Sequence, residues 1–228
     1  MLDLTPQDWT AIGLSVKVAT IATLAALPLA LLAAYALARW RFPGHGALNA
    51  VTHLPLVLPP VVTGFVLLLL FGRRGPLGAF FADYLGIVFA FRWTGAALAA
   101  AVMSFPLMIR PIRLSFESVD RRLPMAARSL GANPFWAFLV VELPLALPGV
   151  MVGVILGFAK ALGEFGATIT FVSNIPGETR TIPAAIYSLI QTSDGDAAAM
   201  RLAIISAAIA VIALTVSEML QRRARYGT

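Results

Sequence analysis

Five stretches of this chain run for 16 to 25 residues without an aspartate, glutamate, lysine or arginine. That fact constrains the fold more than any other. A bilayer core about 30 Å thick takes roughly 20 apolar residues of helix, with about 17 as a working minimum. In lipid every backbone N–H and C=O must find a partner within the segment, so long apolar runs of this kind cross as helices. The chain of 228 residues is 59% hydrophobic and only 12% charged, where soluble domains sit near a quarter charged. An all-α integral membrane protein follows.

The runs are Val18 to Ala38, closed by Arg39-Trp40-Arg41; Ala47 to Phe71, closed by Gly72-Arg73-Arg74-Gly75-Pro76; Trp93 to Ile109; Leu143 to Ala159; and Leu202 to Ser217, before Glu218. Lys17, just ahead of the first run, is expected to snorkel. Tyr84 to Phe91 and Thr181 to Ile190 are apolar but short, and read as re-entrant or surface-lying helices. The count is five spans, or six if one of these also crosses. Pro28, Pro55, Pro59, Pro60, Pro106 and Pro148 fall inside the runs. A single proline is tolerated in a membrane helix. Three within Leu54 to Pro60 imply irregular backbone at membrane depth, which must line a cavity or be covered by protein.

The net charge of +6 resides mainly at the ends of the runs, the pattern of membrane topology rather than of a nucleic-acid surface. Placing Arg110 to Trp136 in the cytoplasm puts Arg110, Arg113, Arg121, Arg122, Arg128, Arg39, Arg41, Arg222, Arg223 and Arg225 inside. Arg73, Arg74, Arg92, Arg180 and Arg201 remain outside. With five spans the N-terminus, carrying Asp3 and Asp8, lies outside and the C-terminus inside. The opening MLDLTPQDW lacks the basic start of a cleaved signal, so the first run is expected to be retained.

Chemistry of its own is not apparent. There is no cysteine, no G-x-x-x-x-G-K-[ST] loop for ATP, no H-E-x-x-H and no G-x-S-x-G; the two histidines, His45 and His53, sit apart from any ligand cluster. No catalytic or metal-binding residue is assigned and no cofactor is expected on this chain. Energised work would need a partner.

The stretch Ala126 to Val150 offers a place for one. Pro124 suits a first helical turn, Met125 to Leu130 one or two turns, Gly131 a stop, and Asn133-Pro134 a fresh start. Ala126, Ala127, Gly131 and Ala132 leave room for close approach. Here the chain resembles the permease subunits of binding-protein-dependent ABC importers, whose cytoplasmic loop reads E-A-A, three residues, G, nine residues, I-x-L-P. Ala126, Ala127, Gly131, Val141, Leu143 and Pro144 match; Met125 stands where the family usually has glutamate, and Val141 where it has isoleucine. A second stretch, Ala161 to Val172 with Asn174 to Pro183 and Ala185 to Tyr187, is similar to the permeases of molybdate importers. Sulfate permeases share only its Gly-Glu-Phe-Gly core. The likeness runs from about Asp8 to Glu218.

The resemblance implies one permease domain over residues 1–228 with the type I ABC importer fold, in a bacterial inner membrane. It also implies a homodimer, two copies of a cytoplasmic ATPase that carry ATP-Mg, and a periplasmic molybdate-binding protein. The ATPase would dock on the loop at about 120–142, through Pro124, Met125, Ala126, Ala127, Leu130, Gly131, Ala132, Asn133, Pro134, Val141, Leu143 and Pro144. Candidate pathway or gate positions are Pro59, Pro60, Thr63, Gly163, Glu164, Phe165, Gly166 and Thr168. Lys160 and Glu164, four apart on a helix, are expected to pair. Glu164 would repel a dianion, so it is read as fixing the bend through backbone hydrogen bonds rather than as a ligand. Thr63, Ser104, Thr168, Thr170 and Ser173 offer neutral donors, most of them expected to satisfy neighbouring helices. Rival readings are a sulfate, thiosulfate or tungstate permease, a passive channel, or an intramembrane enzyme. The last lacks a paired base and nucleophile.

Overall fold

The computed structural model describes residues 4–226, without the side chains of 216–218 and 220–226. Asp3 and the side chains of Ser217, Glu218, Arg222, Arg223 and Arg225 lie outside the described residues. The elements are α1 (Pro6–Arg39), α2 (His45–Val57), α3 (Pro60–Phe71), α4 (Pro76–Leu85), α5 (Trp93–Ser118), α6 (Arg122–Ser129) and α7 (Pro134–Ala137). A π turn (Phe138–Glu142) then leads into α8 (Leu143–Leu162), followed by α9 (Gly166–Val172), α10 (Ile182–Leu189) and α11 (Asp196–Tyr226). Among the described residues, four helical stretches are long and apolar enough to cross a membrane, or five if the bent pair α2–α3 counts as one span.

Helices outrun their apolar cores where the sequence supplies caps. α1 begins twelve residues ahead of its uncharged run because Thr5 and Asp8 form a capping box with Pro6 at the first position. Asp8 is thus a buried cap. Lys17 lies inside the helix and is exposed, its Nζ 3.7 Å from the centre of the Trp93 ring, a cation–π contact. α5 also runs on past its apolar run, through Arg110 and Pro111 to Ser118, with no side-chain cap; there Arg113 bonds to Glu117 at 2.7 Å and to Asn49 at 3.1 Å.

The second run does not cross as one helix. α2 and α3 meet at 114°. A residue before proline is pushed out of the helical region, and Pro59-Pro60 does this twice in succession, leaving Leu58 and Pro59 extended. Pro28, Pro55, Pro106, Pro111 and Pro148 are all carried inside helices. Only the doubled proline breaks its span. Tyr84 to Phe91 is also not the short helix expected there: α4 starts earlier, at Gly75-Pro76, and stops at Gly86 with φ +65°. Thr181 to Ile190 does hold a short helix, α10.

α1, α5 and α8 form the centre of the bundle. Arg39, the end of α1, reaches the end of α5 and the start of α8, while Lys17 meets the start of α5, so α1 and α5 run parallel and α8 antiparallel to both. The contacts are built from small side chains. α1 buries Ala11, Ala19, Ala22, Ala26, Ala30 and Ala34 at helical spacing, and α8 sets Gly149, Gly153 and Gly157 against α5. A Cβ at Gly153 would lie 2.9 Å from Ile112 Cγ1 and 2.9 Å from the Met108 carbonyl. In lipid, helices gain nothing from excluding apolar surface, so close backbone approach of this kind supplies the packing. Large apolar side chains such as Leu24, Leu32, Phe65, Leu69, Ile204 and Val211 point outward.

Candidate functional site

The bent span α2–α3 meets the break between α8 and α9 inside the bundle. Gly157 of α8 sits on Met108, and Gly95 of α5 sits on Val172 of α9. The break from Gly163 to Phe165 therefore lies opposite the stretch of α5 between Gly95 and Met108, near the middle of that 26-residue helix. The other break comes to the same place. A Cβ on Gly166 would stand 2.7 Å from Pro60 Cβ, and one on Gly64 2.9 Å from Thr170 Cβ, so α3 and α9 run together from their first turns. Pro59, Pro60 and Gly163 are exposed there, while Thr63, Glu164 and Thr168 are buried.

Glu164 holds this junction. It is 2% exposed, accepts from the Ala167 N–H at 3.0 Å and from Lys160 Nζ at 2.7 Å. One carboxylate thus caps the first turn of α9 and closes the last turn of α8, the backbone role expected of it. Phe165 stacks on Tyr187 of α10 with centroids 5.0 Å apart. The hydroxyls of Ser104, Thr168 and Thr170 donate to carbonyls of their own helices. Thr63 Oγ1 is buried with no protein partner, on the same face of α3 as Pro60 and Leu67.

The loop from Asp120 to Glu142 projects from one end. Asp120 Oδ1 accepts from the Arg122 N–H at 2.9 Å and starts α6, with Pro124 in its first turn. Gly131, φ +96°, ends it: its N–H donates to Arg128 O, and that of Ala132 to Ala127 O, the two bonds of a Schellman stop. Asn133 then caps α7 by accepting from the Trp136 N–H at 2.8 Å. No residue of α6 is buried, and Leu130 stands 90% exposed at the tip. Beside it is an apolar groove of about 350 Å³ that includes Ala127, Gly131, Ala132, Trp136 and Val141. Leu143 and Pro144 open α8 behind the π turn.

Sequence reasoning missed the group at the root of this loop. Glu142 is buried and accepts from Arg39 Nε at 3.0 Å and from the Tyr35 hydroxyl at 3.1 Å. In the sequence Arg39 carries only a topology signal. A charge pair separated by 103 positions leaves no local pattern to find.

Residues 26–226 match the family described as binding-protein-dependent transport system inner membrane component. The molybdenum transport system permease protein ModB of Escherichia coli (strain K12) is 58% identical over 222 residues, 97% of this chain and 97% of that protein. The protein of the same name from Haemophilus influenzae is 50% identical over 217 residues, 95% of each. Among solved structures, a bacterial ABC transporter involved in the import of the acidic polysaccharide alginate has a chain that superposes with a TM-score of 0.75 at 16% identity, covering 97% of this chain and 81% of that one. At that identity the likeness speaks to fold, and the fold is that of a type I ABC importer permease. Matched over residues 26–226, and 58% identical to one permease over almost its full length, the chain belongs to the inner membrane components of binding-protein-dependent transport systems, the permease subunits of ABC importers.

Proposed function

We propose that this chain is the permease of an ATP-driven molybdate importer. It does no chemistry itself; the path it forms passes a tetrahedral dianion, and ATP is hydrolysed on a separate subunit. The single observation that carries the substrate class is the 58% identity, over almost the full length, to a molybdenum transport permease. Two copies of the chain would enclose the path, with the junction of α3 and α9 against it and a binding protein delivering cargo at the end opposite the loop. The loop end would face the cytoplasm, since Arg39, Arg41, Arg121, Arg122 and Arg128 belong to it.

Three features support docking of an ATPase at the loop. It is exposed, it is stiffened by a cap at each end of its turn, and its groove is lined by small and apolar side chains that admit a partner closely. Net neutrality at the junction fits an anion path: Lys160 offsets the one buried carboxylate, so no unpaired negative charge faces a dianion. The test is uptake of labelled molybdate into proteoliposomes that hold this chain, its ATPase and its binding protein, with sulfate as competitor. ATP-dependent accumulation little reduced by excess sulfate is the expected result. Uptake without ATP would overturn the importer reading, and sulfate winning the competition would overturn the cargo.

A further inference from the structure

Both roots of the exposed loop converge on one side chain of α1. Arg39 Nε donates to Glu142 Oε2 at 3.0 Å, and Arg39 Nη2 donates to the Val119 carbonyl at 3.1 Å. Val119 is the residue where α5 ends and the loop begins; Glu142 is the residue where the loop ends and α8 begins. Tyr35, one turn back on α1, donates its hydroxyl to the other oxygen of Glu142 at 3.1 Å. The arginine and glutamate side chains are only 9% and 7% exposed. Around them, the Tyr35 ring packs edge-on against Phe116 of α5 and Phe138 of the π turn, at 5.3 and 5.0 Å.

We propose that Tyr35, Arg39 and Glu142 are the joint through which displacement of the loop is passed to α1. This rests on the reading of residues 120–142 as the ATPase-docking loop. A buried ion pair is weak support for stability, because well-packed apolar side chains of similar size serve as well or better. What a planar guanidinium with two fixed acceptors adds is direction and register. Here it locks the loop's entry, its exit and the last turn of α1 into one unit. The π turn supplies the compliance on the other side: its wider hydrogen-bond spacing allows α7 to shift against α8 without breaking the chain's helical path. α1 then carries the displacement along its length, since its alanine stripe is packed on α5. At the opposite end Ser15 Oγ accepts from the Ile182 N–H at 2.7 Å, and Lys17 rests on Trp93. Arg39, Tyr35 and Glu142 are positioning residues; none of them lies in the junction of α3 and α9.

The experiment uses the complete reconstituted transporter and reads molybdate accumulated per ATP hydrolysed. Glu142→Gln keeps the size and loses the charge. It should still assemble with the ATPase and support hydrolysis, while the ratio falls by about tenfold, within the usual range of coupling between sites. The double variant Arg39→Met with Glu142→Leu removes both charges together. It should regain the thermal stability lost in the single variant, yet keep the low ratio. A wild-type ratio in Glu142→Gln would overturn the joint. So would a double variant that recovers ratio and stability alike, since the pair would then be packing only. If Glu142→Gln does not assemble, the double variant decides on the same criterion. Failure of the docking reading looks different: there, Gly131→Asp leaves the ATPase bound and uptake normal, whatever the outcome at Glu142.

Discussion

Replacing Glu164 by alanine cuts two bonds at the point where α8 stops and α9 starts. The Ala167 N–H loses its acceptor, a capping loss of about 1 kcal/mol. Lys160 loses its partner as well. A fully buried charge left alone costs about 3–5 kcal/mol, but the Lys160 side chain is 30% exposed and can turn towards solvent. The charge loss is therefore nearer 1–2 kcal/mol, and the sum about 2–3 kcal/mol. Glu164→Gln separates the two contributions. Its amide oxygen can still accept from Ala167, so it should lose the charge contribution alone, about half to two-thirds of the total. The assay is equilibrium unfolding of the purified chain in mixed micelles titrated with a denaturing detergent. The reasoning fails if Glu164→Ala unfolds like the wild type, or if the glutamine variant loses as much as the alanine variant.

Gly153→Leu should cost about 1–3 kcal/mol in the same titration, because its side chain must displace Ile112 and the Met108 backbone. Gly13→Ala is the matched control: a Cβ there meets nothing within 4 Å, so a helix-propensity gain of up to about 1 kcal/mol is expected. Gly131→Ala forces a Cβ into φ +96° and should cost about 1–2 kcal/mol locally. Its effect should appear as reduced ATP-driven uptake with normal amounts of chain in the membrane, measured by immunoblot of washed membranes.

Much of this architecture is legible before any coordinates. Bilayer thickness acts on every residue of a span, so runs without charge announce α1, α5, α8 and α11 directly. The loop is legible for a different reason: Gly131 and Asn133-Pro134 are local backbone signals, and they act within a turn or two. Glu164 was readable because its partners, Lys160 and Ala167, lie four and three residues away. Boundaries were harder. α1 begins at a Thr5–Asp8 box outside the apolar run, and α4 is set by Gly75-Pro76 and Gly86 rather than by the apolar residues after it. The doubled proline signalled irregular backbone, but a 114° turn onto Gly166 depends on which helix lies opposite. Lys17 on Trp93 and Arg39 on Glu142 depend on topology in the same way. Distant pairs of that kind become visible only once the helices are placed.

On the function proposed above, an ATPase docks at the loop end of this bundle. The chain has no cysteine, so a single cysteine in place of Leu130, 90% exposed at the tip of the loop, reports alone. The measurement is cross-linking from that position in the assembled transporter, beside labelling of intact cells with a maleimide that cannot cross the membrane. A cross-link to the ATPase subunit and no labelling from outside are the expected results. A cysteine at 130 that is labelled from outside, or that never reaches the ATPase, would contradict docking there.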